Sequence, residues 1–347
     1  MTVPRVFPEE RFSMQTTHDR PPNPGEPLEI LPEIQWLRMP LPFALNHVNL
    51  WLLRDAGGWT AVDTGLAVDV VREAWQQLLR SHPLVRLLVT HFHPDHLGLA
   101  AWLQSLTGAP LWIPPQEYAT AQFFFHQIAG FSVAAGVKAF RQHGLPEEGL
   151  LRLEQQGNTY KLGVPSIPDT YRPLQTGQTI PVGDQHWRVI TGHGHSPEHA
   201  SLYCHDLGVL ISGDMLLPRI STNIGFSPTT PDIDPLGRFL DSLDRFHPLP
   251  ENTLVLPSHG LPFRGLHERI DQLKLHHAER CEVLLAACRK APRSAFDLLP
   301  ILFERDITDT HQTYFAMGEA IAHLVYLEKR GKLVRRAEGG VDRFGAR

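Results

Sequence analysis

Nine residues, Thr90–Gly98 (THFHPDHLG), constrain this chain more than any other stretch. They follow Leu84–Val89, a short and nearly continuous apolar run that reads as a buried strand. Alternate residues leaving a strand point the same way, so His91 and His93 can grip one cation. Asp95 and His96 sit on the following turn and can reach a second. Imidazole with carboxylate suits zinc, iron or manganese rather than calcium. Two cations need more ligands than this loop offers, so the fold must bring other strand ends to it. His195 and His199 lie in GHGHSPEHASLY, Asp214 in ISGDML and His259 in VLPSHG, each beside a strand-like segment.

The other elements fit that demand. Asn46–Arg54 and Trp59–Val62 read as strands, Val68–Leu79 as an amphipathic helix, and Leu97–Leu106 as a helix stopped by Gly108 and Pro110. Strand signals return at Trp187–Thr191, Ala200–Tyr203, Val209–Ser212 and Thr253–Leu256, with a helix at Asp234–Phe246. Residues 1–33 are rich in Pro and read as an N-terminal arm, with regular structure beginning near Ile34. Beyond Gly265 the pattern is helical. Ile270, Leu273, His277, Cys281, Leu284, Leu285 and Cys288 form one stripe, and helices over Ala295–Phe303 and Thr313–Arg330 follow. Lys332–Arg336 reads as a short strand.

The ordered set of motifs, together with Val62-Asp63-Thr64-Gly65, resembles the metallo-β-lactamase-fold hydrolase superfamily over about Ile34–Leu266. The resemblance implies an α+β fold, an αββα sandwich with two divalent ions, zinc first and iron or manganese as alternatives. It implies that His91, His93 and His195 hold one ion, that Asp95, His96 and His259 hold the other, and that Asp214 bridges. His199 and Asp63 would support those ligands from behind. A hydroxide held between the ions would attack, and Asp95 would carry a proton to the leaving group; Asp95 and Asp214 are thus the catalytic candidates. Glu198 replaces the family's usual small residue, and His193 is an additional histidine. Residues 34–264 would form the catalytic domain and 265–347 a small winged-helix-like domain, as on one branch of the superfamily.

Residues 114–182 read as a helical lid insertion. It carries five basic and five acidic side chains and many aromatics. A neutral, aromatic cover suits a small-molecule substrate with an apolar acyl part, and argues against nucleic acid, which wants a basic groove. Residues 265–347 have a net charge of only +2, and packing or homodimer formation is the expected use of that tail. The leading expectation is a metal-dependent hydrolase of acyl thioesters or related esters. The alternatives are an endoribonuclease or phosphodiesterase on single-stranded RNA, a hydroxyacylglutathione hydrolase-like enzyme, and a metal-bearing regulatory ligand-binding protein.

Three scattered cysteines exclude a disulfide framework and a thiolate zinc site. No secretory signal pattern or membrane span is evident, so a cytoplasmic location is expected. Histidine is abundant, 20 of 347 residues, and the motifs account for only six of them.

Overall fold

The computed structural model describes residues 15–18, 20–307 and 309–347. The chain opens with β1 (Gln15–Thr16), then lays down β2 (Leu28–Leu31), β3 (Ile34–Pro40), β4 (His47–Asp55) and β5 (Gly58–Val62) as an antiparallel meander. Helix α1 (Asp69–Leu78) crosses over to β6 (Leu84–Leu88), which runs parallel to β5. The metal-loop helix α2 (Pro94–Leu97) and α3 (Ala100–Thr107) lead to β7 (Leu111–Ile113). Gly108 ends α3 in the left-handed conformation that a C-terminal glycine accepts without strain. Four helices follow: α4 (Pro115–His126), α5 (Val133–Gln142), α6 (Glu147–Gln156) and α7 (Tyr160–Gly163). Strand β8 (Arg172–Pro173) then completes a seven-stranded sheet in sequential order from β2 to β8.

The second sheet also has seven strands. It contains β9 (Thr179–Val182), β10 (Gln185–Gly192), β11 (His199–Cys204), β12 (Val209–Gly213), β13 (Leu254–Pro257) and β14 (Phe263–Arg264), with β1 closing its edge beside β14. Helix α8 (Pro235–Leu243) connects β12 to β13, its parallel neighbour. The chain ends in α9 (Leu266–Lys290), α10 (Ala295–Phe303), α11 (Thr310–Lys329) and the hairpin of β15 (Leu333–Glu338) and β16 (Val341–Ala346).

Three apolar layers define the αββα sandwich. Ile34, Trp36, Trp51 and Leu53 of the first sheet meet Trp187, Val189, Leu202 and Ile211 of the second. Trp36 and Trp51 are cross-strand partners and stack at 5.9 Å. The outer face of the first sheet (Leu37, Met39, Leu50, Leu87) packs on Val71, Trp75 and Leu78 of α1 and on Leu103 of α3. The outer face of the second sheet (Ile190, Leu210, Val255, Phe263) packs on Leu236 and Phe239 of α8, and on α9, α10 and α11. The hydrophobic stripe expected on α9 is buried at every one of its seven positions. Among the described residues no helix is long and apolar enough to cross a membrane.

Three expectations change. Residues 1–14 of the expected 1–33 arm lie outside the described residues, but β1 and β2 are edge strands of the two sheets, because backbone pairing gives even a Pro-rich segment a partner there. The 114–182 stretch is helical only through Gly163; its remainder supplies β8 and β9. That stretch is also divided: Ala121 and Tyr160 join the core over the first sheet, whereas Val137, Phe140 and Leu150 join the core shared with the C-terminal helices. The expected 265–347 unit begins with α9, whose Leu266, Ile270 and Leu273 pack in the apolar layer over the second sheet.

Candidate metal centre

The site forms where strand ends of both sheets meet. The C-terminal end of β5 presents Asp63, that of β6 leads into His91–His96, and those of β12 and β13 lead into Asp214 and His259. His195 follows β10, and His199 opens β11. Parallel pairing of β5 with β6 and of β12 with β13 puts these ends on one side of the molecule.

Two groups of ligand atoms converge. His91 Nε2 lies 2.9 Å from His93 Nδ1 and 3.2 Å from His195 Nε2. His96 Nε2 lies 3.5 Å from Asp95 and 3.6 Å from Asp214, and His259 Nε2 lies 3.6 and 3.5 Å from the same two carboxylates. Asp214 also stands 3.4 Å from His195 Nε2, so it touches both groups. The atoms of His91, His93 and His195 all fall within 4.8 Å of one another, as do those of Asp95, His96 and His259, and those of His91, His96 and Asp214, which link the two.

The donor set fits two divalent ions. His96 Nε2 and Asp214 Oδ1 are buried without a hydrogen-bond partner, which costs free energy unless a cation takes the lone pairs. Charge points the same way. Burial and the neighbouring imidazoles hold His91 and His93 well below the ordinary histidine range, as neutral ligands must be. Burial also lowers His96, but Asp95, Asp63 and Asp214 outweigh it and raise that group to about 10. Burial likewise opposes ionisation of Asp214, yet His259 and His96 outweigh it and hold the carboxyl well below its usual range. The carboxylates thus supply negative charge that a cation would neutralise.

Four of the ligands, His96, Asp214, His259 and His195, are oriented from behind. Asp63 adopts φ +64°, a costly conformation for a non-glycine residue. From there its carboxylate accepts from Thr90 N–H at 2.8 Å and pairs with His96 Nδ1 at 2.8 Å. Trp75 Nε1 donates to Thr64 O at 2.8 Å and pins the turn carrying Asp63 to α1. His199 Nε2 accepts from Asp214 N–H at 3.0 Å, so His199 places the backbone of Asp214. A Cβ on Gly213 would lie 2.3 Å from the His199 ring, so the position requires glycine. His259 Nδ1 lies 2.8 Å from His47 O, and His47 Nε2 accepts from Gly260 N–H at 2.8 Å. His195 Nδ1 donates to Asn223 O at 2.8 Å. The Asn223 amide in turn reaches Glu319 at 3.3 Å, tying the His195 loop to α11.

The structure brings together His91, His93, Asp95, His96, His195, Asp214 and His259, with Asp63 and His199 directly behind them. His193 stands apart: its ring bonds Pro197 O at 2.7 Å. Sequence reasoning missed His47, Asn223 and Glu117. Glu117, in the first turn of α4, is fully buried, and burial raises its carboxyl to about 7 against three hydrogen bonds that favour the anion. The Pro-x-Glu start of α4 gave no hint that its carboxyl would point inward.

This fold and site define a class. The chain belongs to the metallo-beta-lactamase superfamily, whose family model matches residues 44–259. A metallo-beta-lactamase-like C-terminal domain matches residues 281–347. A beta-lactamase domain protein from Burkholderia ambifaria is similar over 96% of this chain and 98% of its own, with 42% identity and a TM-score of 0.90. A metallo-beta-lactamase family protein from Thermus thermophilus is 32% identical, over 92% of this chain and 100% of its own, with a TM-score of 0.79. The Bacillus subtilis protein named "Probable metallo-hydrolase YqjP" is 26% identical over 89% of this chain and 96% of its own. The hydroxyacylglutathione hydrolase of Albidiferax ferrireducens is 27% identical over 78% of this chain and 84% of its own. The chain is therefore a metallo-hydrolase of this superfamily.

Proposed function

We propose that this protein is a binuclear hydrolase of acyl thioesters or related esters. One observation carries the reading: seven side chains converge in a three-histidine group and an Asp95–His96–His259 group, joined by a third group of His91, His96 and Asp214. Two divalent ions there, zinc for preference, would polarise a carbonyl oxygen and lower the pKa of bound water toward about 7. His91, His93 and His195 would hold one ion, and Asp95, His96 and His259 the other. Asp214 would keep the two in register. Asp95 is partly exposed, unlike its neighbour His96, and so is the carboxylate able to pass a proton to the leaving group.

The rim supports an apolar acyl group. Phe43 is 45% exposed and stacks on His311 at 4.8 Å. His311 also meets Phe315 at 4.9 Å. This rim adjoins the site, since His311 feels the charge of Asp95 and Phe315 O accepts from Asn223 at 3.5 Å. We read α9–α11 with the β15–β16 hairpin as winged-helix-like, with α11 lending its first turn to the substrate mouth.

A glutathione thioester is the second reading, favoured by the relatives named hydroxyacylglutathione hydrolase. The test is metal analysis followed by a panel of acyl-CoA, glutathione thioester, lactone and RNA substrates on one preparation. Thioester turnover that disappears with chelation and returns with Zn²⁺ is expected. Cleavage of RNA alone, or turnover by the metal-free protein, would overturn the proposal.

A further inference from the structure

The insertion was expected to cover the site, but two of its side chains reach behind it. Phe92 lies between His91 and His93, so its two flanking peptide groups set the relative direction of those imidazoles. Both are gripped from the insertion. Glu117 on α4 accepts from Phe92 N–H at 3.0 Å, and Tyr160 on α7 donates to Phe92 O at 2.7 Å.

The other oxygen of Glu117 holds the third histidine's loop. It accepts from Ser196 Oγ at 2.8 Å and from Glu198 N–H at 2.5 Å, on the residues that follow His195. Glu198 returns the contact, accepting from Gln116 N–H at 3.3 Å. That N–H lies in the first turn of α4, where no intrahelical acceptor exists. The replacement of the family's small residue by Glu198 thereby acquires a structural role.

A carboxylate taken out of water is costly unless hydrogen bonds compensate. Glu117 has three such bonds, and they come from two loops 104 residues apart at His91 and His195. If the insertion only needed packing, the apolar contacts of Ala121 and Tyr160 with the first sheet would serve. A buried acid instead fixes the distance between the two arms that carry His91, His93 and His195.

We propose that Glu117 is a positioning residue that sets the spacing of the His91–His93 and His195 arms, so that the helical insertion braces the three-histidine metal site. This rests on the assignment of those three histidines to one ion. The glutamate touches neither ion nor substrate; it acts through the peptide backbone of the ligand loops.

The test titrates Zn²⁺ into chelator-stripped full-length protein against a chromophoric chelator, and records the melting of each metal-free protein. Glu117→Gln keeps the shape but turns an amide N–H₂ toward a donor, which releases one arm. Its tighter Zn²⁺ affinity should weaken by about 10–100-fold, as for partners that orient ligands elsewhere. Tyr160→Phe removes a single hydrogen bond and should weaken the same affinity by about 2–10-fold. This milder variant preserves the test if the Gln protein fails to fold. Ala121→Gly loosens the same helix without touching either loop, so its melting should fall while Zn²⁺ affinity stays at the wild-type value. Wild-type Zn²⁺ affinity in Glu117→Gln and Tyr160→Phe, whatever their melting, would overturn the proposal. A wild-type protein that binds no Zn²⁺ would instead overturn the metal assignment on which it rests.

Discussion

Two clusters of buried histidines occupy this molecule, and they differ in what faces the nitrogens. At the meeting of the sheets, His91, His93 and His195 turn ring nitrogens toward one another, with Asp214 3.4 Å from His195. Between α9 and α11, His277 Nδ1 lies 3.1 Å from His323 Nε2. There the pair forms an ordinary hydrogen bond. His323 Nδ1 donates to Glu319 O at 2.8 Å, so its Nε2 accepts from His277. Carboxylates converge on the first cluster, while the second is walled by residues such as Phe239 and Cys281. Burial and residue type are shared, and His277 Nε2 too is buried without a hydrogen-bond partner, but among the described residues only the first cluster gathers three or more ligand atoms with carboxylates. A histidine count therefore cannot identify a metal site, but the atoms between the rings can.

The sharpest way to break this comparison is to remove a shared ligand. Asp214→Ala should reduce bound metal below one ion per chain by elemental analysis, with turnover at background. His323→Gln should retain wild-type metal content; a loss there would merge the two clusters into one functional system. Asp63→Asn leaves every ligand present but disturbs the partner of His96, and should weaken Zn²⁺ affinity by about 10–100-fold in a chelator competition.

Acid separates the clusters differently. Burial lowers His323 to about 4, against an ordinary value near 6.5. A lowered histidine stabilises the fold in full above the unfolded value, because the unfolded chain binds the proton more readily at lower pH. That contribution, on the order of 3 kcal/mol for this shift, should be lost as pH falls from about 6.5 toward 4. Melting of metal-free protein across that range should steepen in the wild type relative to His323→Gln. Equal slopes would show that the pair is not held neutral. The smallest expected effect lies at the rim: Phe43→Ala should raise KM for long acyl thioesters by about 3–10-fold with kcat little changed, the signature of lost uniform binding. An unchanged KM would remove Phe43 from the substrate mouth.

Much of the candidate site was legible because each ligand follows a local pattern. The apolar run of β6 announces a buried strand, and the next loop carries His91, His93, Asp95 and His96. Asp214 and His259 stand in the same relation to β12 and β13. The supporting residues carry no such mark. His47 acts on Gly260 and His259 across 212 or more positions, and Glu117 acts mainly on backbone N–H groups. A backbone donor is the same chemical group at nearly every residue, so no side-chain pattern reports which one is bonded. The hairpin partner β16 and the short strand β2 were missed for a related reason: both are polar or Pro-flanked edges defined by pairing.

By itself the sequence determined which residues could ligate metal and that they would sit at strand ends, because hydrophobic periodicity and ligand spacing are local properties. Only the tertiary structure decided that α9 packs over the second sheet, that Glu198 caps α4, and that Glu117 and Tyr160 grip the ligand loops. Those outcomes depend on which surfaces meet after the sheets close, and on buried polar groups finding partners far along the chain.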